Sequence, residues 1–530
     1  MIPIAYRRAI DRPRPAMIFC APCELVLAKE TAMAIGRWHP KREATRQEEF
    51  LLKRLHRTRK LFGFLRRHRH ELFDDGFQAE LASMYRNTGA GTEPVVPALL
   101  AMVVLLQSYL GTSDAEAVEL AVVDLRWQMV LGCLGATRPP FSQGALPAFR
   151  ERLIANDMDR RLLERTVELA RETKEFDWKK LPKTLRVAID SAPLEGAGRV
   201  EDTLNLLAHA ARKVVECAAE ILHWTPERVC REARAPLLFA PSIKAALDRD
   251  WNDPAQKASA VKILVIELEN LKDWLAANLA EELQKPPLSD EVGALKQLMA
   301  QDLEPDPGGG GAKIREGVAE DRRVSIEDSE MRHGRKSKTK RFNGYKRHLA
   351  TDLDSGLILS GAITPANRPE DQAAPDLAED IARQGLEIDQ LFIDRGYVKA
   401  PLVDEIIGRG GEIVRKPWVP RGKGVFTKTA FKINTRDLTI TCPAGETERI
   451  VFGTVTEFDP EACDQCALRA KCSAAVAGSG RTVNIAPDER LQQRLRKHMA
   501  TPRGRERLRE RVGVEHKLAH LVQPCRSRGR

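Results

Sequence analysis

The sequence predicts an α/β layer fold with inserted modules, preceded by an all-helical domain. Three observations carry that prediction. From Gln47 to Leu169 apolar residues recur at helical spacing. At Thr184 the texture turns to short, β-branched apolar runs, and a long helical stretch at 200–299 separates the first of these from the others.

Residues 1–44 show no clear period and are expected to form a tail, where Cys20 and Cys23 make one CxxC without a second pair nearby. The span 45–175 holds LLKRLHRTRKLFGFLRR, PALLAMVVLLQSYL and SDAEAVELAVVDLRWQMVLG between Gly, Pro and Ser-Asp breaks, the pattern of one helical domain. Ser113, with Glu116 three residues on, has the capping-box form. The α/β domain then occupies 182–530. TLRVAIDSAP, bounded by Pro182 and Pro193, predicts a buried strand ending at Asp190. A helical insertion of about 200–305 closes on PDPGGGG, a flexible joint. YKRHLATDLDSGLILSGAIT predicts a hairpin turning at Asp354-Ser355-Gly356. PEDQAAPDLAEDIARQ predicts one helix with Pro369 in its first turn. IDQLFIDRGY predicts a strand closing on Asp394, with Gly396 where the backbone turns sharply.

No stretch reaches the roughly 20 uninterrupted apolar residues of a membrane helix, and the N-terminus lacks a secretory pattern. The expectation is a cytoplasmic protein with no membrane partner. With 85 Lys and Arg against 75 Asp and Glu, the net charge of +10 suits a polyanion. Residues 331–350, MRHGRKSKTKRFNGYKRHLA, hold eight Lys or Arg and no acid. Within them Arg335, Lys336, Lys338, Lys340 and Arg341 lead into the first hairpin strand and read either as phosphate contacts or as a solvated loop. Phe342 and Tyr345, interleaved among them, read as hairpin core. Cys442, Cys463, Cys466 and Cys472 are spaced C-x20-C-x2-C-x5-C in a Cys-rich insertion of about 436–480. They read either as a structural zinc site or as four buried thiols.

Asp190 and Asp394 both end apolar strands, where side chains of an α/β sheet converge on a ligand crevice. A single Asp after a strand is ordinary turn chemistry, so the pair gains weight from its surroundings. VAIDSAPLEGAGRVEDT, MRHGRKSKTKRFNGYKRHLATDLDSGLI, LFIDRGY and RERVGVEHKLAHL resemble, in that order, the transposases of bacterial insertion sequences, members of the ribonuclease-H-like superfamily. PALLAMVVLLQSYLGTSDAEAVELAVVDLRWQMVLG resembles the N-terminal domain that accompanies that catalytic core, and the resemblance covers about residues 45–520.

The resemblance implies a ribonuclease-H-like catalytic core and a helical domain for DNA binding and assembly. It implies a DDE triad of Asp190, Asp394 and Glu515, with Arg511 one helical turn before the glutamate and beside DNA. It also implies two Mg²⁺ ions on the triad, with Mn²⁺ as an alternative. Two such ions, about 3.5 to 4 Å apart, suit an in-line displacement at phosphorus. Water would free a 3′-hydroxyl at the element end, and that hydroxyl would attack target DNA. The implied partners are terminal inverted repeats, target DNA and a second copy of the chain on DNA. Two rivals remain: a ribonuclease-H-like nuclease that joins nothing, and an impaired copy that only binds DNA. Where related transposases carry a tyrosine three residues before the arginine and a lysine seven after the glutamate, this chain has Leu508 and Val522. The apolar pattern fades after Val522 and Pro524 follows, so the expectation is a truncated copy with a poorly anchored Glu515.

Overall fold

The computed structural model describes residues 35–56, 59–85, 93–172, 184–306, 311–337, 339–419 and 424–526, with the side chains of 59–60 and 520–526 left aside. Cys20 and Cys23 lie outside the described residues. The chain forms two compact units. One takes in the chain up to Asp190, His348–Ala362 and the chain from Glu370 onward; the other is Ser191–Arg347 with Ile363–Pro369.

The first unit begins with helices. In α1 (Pro97–Leu110) the residues from Pro97 to Gln107 are buried without a polar face, as a helix enclosed by its neighbours requires. It ends at Gly111, whose φ of 67° is the left-handed stop that glycine tolerates. Ser113 then caps the helix Asp114–Val123, with the reciprocal bonds of a capping box to Glu116. Trp127, Phe62, Phe77 and Phe149 fill the core between these helices. Among the described residues no single helix is long and apolar enough to cross a membrane. Helix α2 (Met158–Glu172) serves two cores: Leu162 and Leu169 face the helices, while Val167 packs with residues of the sheet. Arg160 and Arg383 reinforce the junction through Asp380 at 2.8 Å and Glu164 at 2.7 Å.

Strand β1 (Thr184–Glu195) carries Asp190 in its interior and continues through Pro193, where the sequence predicted an end. The ladder to the neighbouring parallel strand stops at Ala188. Beyond that point β1 has no such partner to deprive, so a proline is tolerated.

The second unit is mostly the helical insertion. α3 (Thr203–Leu222), α4 (Pro254–Asn278) and α5 (Leu288–Asp302) share a core in which Ala208, Ala211 and Ala218 let helices approach closely. At its polar end Arg322 pairs with the buried Asp302 at 2.6 Å. Strand β2 (Arg332–Arg335) then runs antiparallel to the start of β3 (Arg341–Asp352), with Phe342 and Tyr345 buried as expected.

Back in the first unit, β3 pairs with β4 (Ile358–Pro365) across a turn closed by the Asp352 N–H on the Leu357 carbonyl at 2.9 Å. The helix expected over 369–384 is instead a 3-10 turn, Glu370–Ala373, followed by α6 (Ala374–Arg383). Pro375 lies at the start of α6, where its missing N–H costs least. Strand β5 (Glu387–Phe392) is parallel to β1 and to β6 (Glu412–Val414), with α7 (Pro401–Gly408) as the crossover. This gives the mixed sheet of an α/β layer fold. Three C-terminal helices follow: α8 (Glu489–Ala500), α9 (Pro502–Glu510) and α10 (Val512–Arg526). The last continues past Pro524, where a stop was expected, because a proline there removes one backbone donor within the final turn.

Candidate active site

Register sets the two aspartates at matching positions on neighbouring strands. Ala188 of β1 lies opposite Phe392 of β5, and Asp190 and Asp394 each stand two residues beyond that pair. Asp190 is buried in its strand. Asp394 caps the turn Arg395–Tyr397, its carboxylate accepting the Gly396 N–H at 2.7 Å. Gly396 does not adopt a left-handed turn; the Glu370 carboxylate lies close over its Cα, where a Cβ would have to displace it. Tyr397 and His348, both buried, share a hydrogen bond of 2.6 Å that ties this turn to β3.

Glu515 lies in the first turn of α10, which is held by the buried side chains of Val514 and Leu518. Those two residues flank the glutamate in sequence, and Glu515 itself is half exposed. Arg511, between α9 and α10, connects the carboxylates. Its Nη2 donates to Glu515 Oε1 at 2.7 Å, and its Nη1 lies 3.0 Å from Asp190 Oδ2. The second contact is an ion pair without an aligned hydrogen bond, which leaves a buried N–H with capacity to spare. Asp394, Arg511 and Glu515 line one cleft of about 630 Å³, together with Arg395, Lys416, Arg505 and Arg509. Among the described residues no group of three or more His, Cys, Asp or Glu stands set to hold a metal ion. Asp190 and Glu515 share a guanidinium instead.

The expected phosphate contacts belong to the other unit. Arg335 ends β2, Arg341 begins β3, and Lys336 and Lys340 close the turn between them through a backbone bond of 2.9 Å. All four are exposed, and Lys338 lies outside the described residues.

The four cysteines Cys442, Cys463, Cys466 and Cys472 line one cavity of about 390 Å³ in a small β-rich segment with its own core, Phe431, Ile440, Phe458 and Val483 among it. They are half-buried free thiols, so neither sequence reading is met in full: they are not sealed in a core, and no metal cage stands formed. Burial pushes the Cys472 thiol up and the other three sulfurs add to the rise, against the opposing charge of Arg481. The Sγ of Cys463 accepts the Arg481 N–H and that of Cys466 the Leu468 N–H, each at 3.4 Å.

Sequence reasoning did not single out Arg395, Lys416, Arg505, Arg509, His348 or Tyr397. The alternation of arginines in PRGRERLRE was the one available signal for two of them.

Residues 318–529 match the transposase DDE domain, and residues 52–152 match the transposase domain (DUF772). No curated protein and no solved structure matches the chain. The first match contains Asp394, Arg511 and Glu515, while Asp190 precedes it. With one transposase domain on the N-terminal helices and the other on the segment that builds the cleft, the chain belongs to the DDE transposases of the insertion-sequence type.

Proposed function

We propose that the protein binds the ends of an insertion sequence and carries out metal-dependent DNA cleavage and strand transfer, with Asp190, Asp394 and Glu515 as its catalytic carboxylates on a ribonuclease-H-like core. The observation that carries this reading is Arg511 joining Asp190 to Glu515 at a cleft that Asp394 also lines. A guanidinium between two carboxylates marks a place where cationic charge is wanted.

The three carboxylates supply hard oxygen donors of the kind Mg²⁺ prefers, and Mn²⁺ accepts the same set. Bound there, the metal would lower the pKa of an attacking hydroxyl and stabilise the leaving oxygen. The chain's own residues do the rest. Asp394 is oriented by the Gly396 N–H, and the His348–Tyr397 bond holds its turn. Arg511 has a buried N–H beside Asp190 that can donate to a phosphate oxygen. The helical domain 45–175 would bind DNA and assemble the complex, two copies holding two element ends, in the cytoplasm. The basic run Arg335–Arg341 would neutralise backbone phosphates. The cysteines Cys442, Cys463, Cys466 and Cys472 would hold one structural zinc, a reading supported by their shared cavity and by N–H groups directed at two sulfurs.

The test of the catalytic reading is a strand-transfer assay with a pre-cut 3′-end. Joined product that needs Mg²⁺ and disappears in Asp190→Ala supports it; hydrolysis without joining makes the protein a nuclease instead. Zinc is tested by metal content after purification without added metal: loss of about one equivalent in Cys463→Ser with Cys466→Ser is expected, and metal-free, stably folded wild type overturns it.

A further inference from the structure

The arginines and lysines around the cleft fall into two classes. On α9, Arg507 turns to the sheet and pairs with Glu412 at 2.8 Å while donating to Gln390 at 2.8 Å. After β6, Arg415 is buried and pairs with Asp488 at 2.8 Å. These cations are spent on the fold. Their neighbours in sequence, Arg505 and Arg509 on α9 and Lys416 after Arg415, face the cleft instead. Arg395 joins them from the turn after Asp394, oriented by a bond to the Pro417 carbonyl at 2.9 Å and by the Trp418 ring beneath it. Arg505 is aimed by the Met499 and Ala500 carbonyls at the end of α8. Among the described residues none of the four is ion-paired with a carboxylate. A surface helix that merely solvates its charges has no reason to sort them so, with the paired ones on one face and the others around a cavity.

We propose that Arg395, Lys416, Arg505 and Arg509 form a phosphate-binding rim, which holds the backbone of the DNA strand on either side of the phosphodiester presented to Asp394 and Glu515. The proposal rests on the catalytic reading of the cleft and adds residues that it did not assign. Four fixed cations beside acidic side chains would offset the repulsion between those carboxylates and a polyanion, which otherwise opposes binding. Lys416 and Arg509 are exposed, and among the described residues neither side chain is ion-paired, so their loss is expected to leave folding intact.

The experiment measures binding of the full chain to a short fluorescent duplex of mixed sequence, without divalent metal, across a range of salt. Each phosphate contact contributes about 0.9 to the log–log slope. Lys416→Gln with Arg509→Gln should flatten the slope by about two, whereas Arg507→Gln, one charge lost from the other face of α9, should leave it unchanged. In Mg²⁺-dependent cleavage the double variant should show a raised KM for DNA with kcat kept within about twofold at saturation. A wild-type slope in the double variant overturns the proposal, and so does an equal loss in Arg507→Gln, which would reduce the effect to net charge. Failure of the catalytic reading shows elsewhere: Asp394→Asn would still cleave, whatever the slopes do.

Discussion

Arg511 bridges Asp190 and Glu515, so under the proposed catalytic reading its guanidinium would compete with a metal ion for the same carboxylates. Arg511→Gln removes the competitor but keeps a polar side chain of similar length. We predict that its Mg²⁺ midpoint, followed as a rise in thermal stability, moves to lower concentration while turnover falls; an unmoved midpoint would mean the guanidinium does not stand in the metal's place. Asp394→Asn is nearly isosteric and deletes one anionic donor. It should abolish cleavage and change DNA binding by less than about twofold, so that retained Mg²⁺-dependent cleavage would sink the role given to Asp394. These residues were legible in the sequence because each sits in a motif with a fixed neighbour: Asp394 in LFIDRGY, Arg511 and Glu515 one helical turn apart. Arg395, Lys416, Arg505 and Arg509 were not. What distinguishes them from Arg415 and Arg507 is the lack, among the described residues, of a carboxylate partner, and partners such as Asp488 and Glu412 lie 73 and 95 residues away in sequence.

Local signals placed the elements well and their ends poorly. Ser113 and Glu116 formed the capping box that their spacing predicts, since a cap depends on residues within one turn. Strand β1 ran past Asp190, beyond the end of its ladder with β5, because β3 flanks it on the other side, and sequence does not display that neighbour. The span 369–384 split into a 3-10 turn and α6 at Pro375, a proline whose position the helical period alone could not rank against Pro369. Helix α9 shows how an element transmits this to the site. Its Arg507 contacts Glu412 of β6 and Gln390 of β5, and its Glu510 pairs with Arg186 of β1, so three strands fix the helix that leads into Arg511 and Glu515. Arg507→Ala should cost about 1 kcal/mol, the scale of a partly exposed pair with one further hydrogen bond. It should also lower kcat more than it raises KM, because Glu515 loses its positioning while the phosphate contacts remain. Denaturant midpoints and steady-state cleavage check the two parts; an unchanged kcat would show that α10 is held by Val514 and Leu518 alone.

At the scale of the whole first unit, the N-terminal helices and the sheet are joined by α2 and by buried charge, so damage to one should be felt in the other. Within the N-terminal helices themselves the charge on Arg66 is enclosed: its side chain is 1% exposed and pairs with Glu48 at 2.7 Å while also bonding the carbonyls of Arg42 and Glu43. Burial pushes the Glu48 carboxyl up, but hydrogen bonds from Arg66 and from the Thr45 N–H outweigh it and leave the group below its ordinary value. A carboxyl depressed in the folded state adds stability that is present above its unfolded pKa, about 4.3, and is lost as pH falls through the folded value. Removing the arginine reverses the sign. In Arg66→Ala the carboxylate stays enclosed without its cation, which costs about 3–5 kcal/mol at neutral pH, and its pKa should rise under the burial that remains. Wild type should therefore lose stability as pH drops from about 5 toward 3, while the gap between wild type and Arg66→Ala narrows over the same range, because protonated Glu48 no longer needs a partner. Glu48→Gln with Arg66→Met should recover much of the loss, since a buried pair replaced by neutral groups of similar volume is often tolerated. Urea unfolding followed by the fluorescence of Trp38 and Trp127, both beside the Arg66 helix core, gives the three curves. A gap that stays constant with pH would show that Arg66 acts through its carbonyl bonds and not through Glu48, and the pH dependence would then have to come from another carboxylate of the unit.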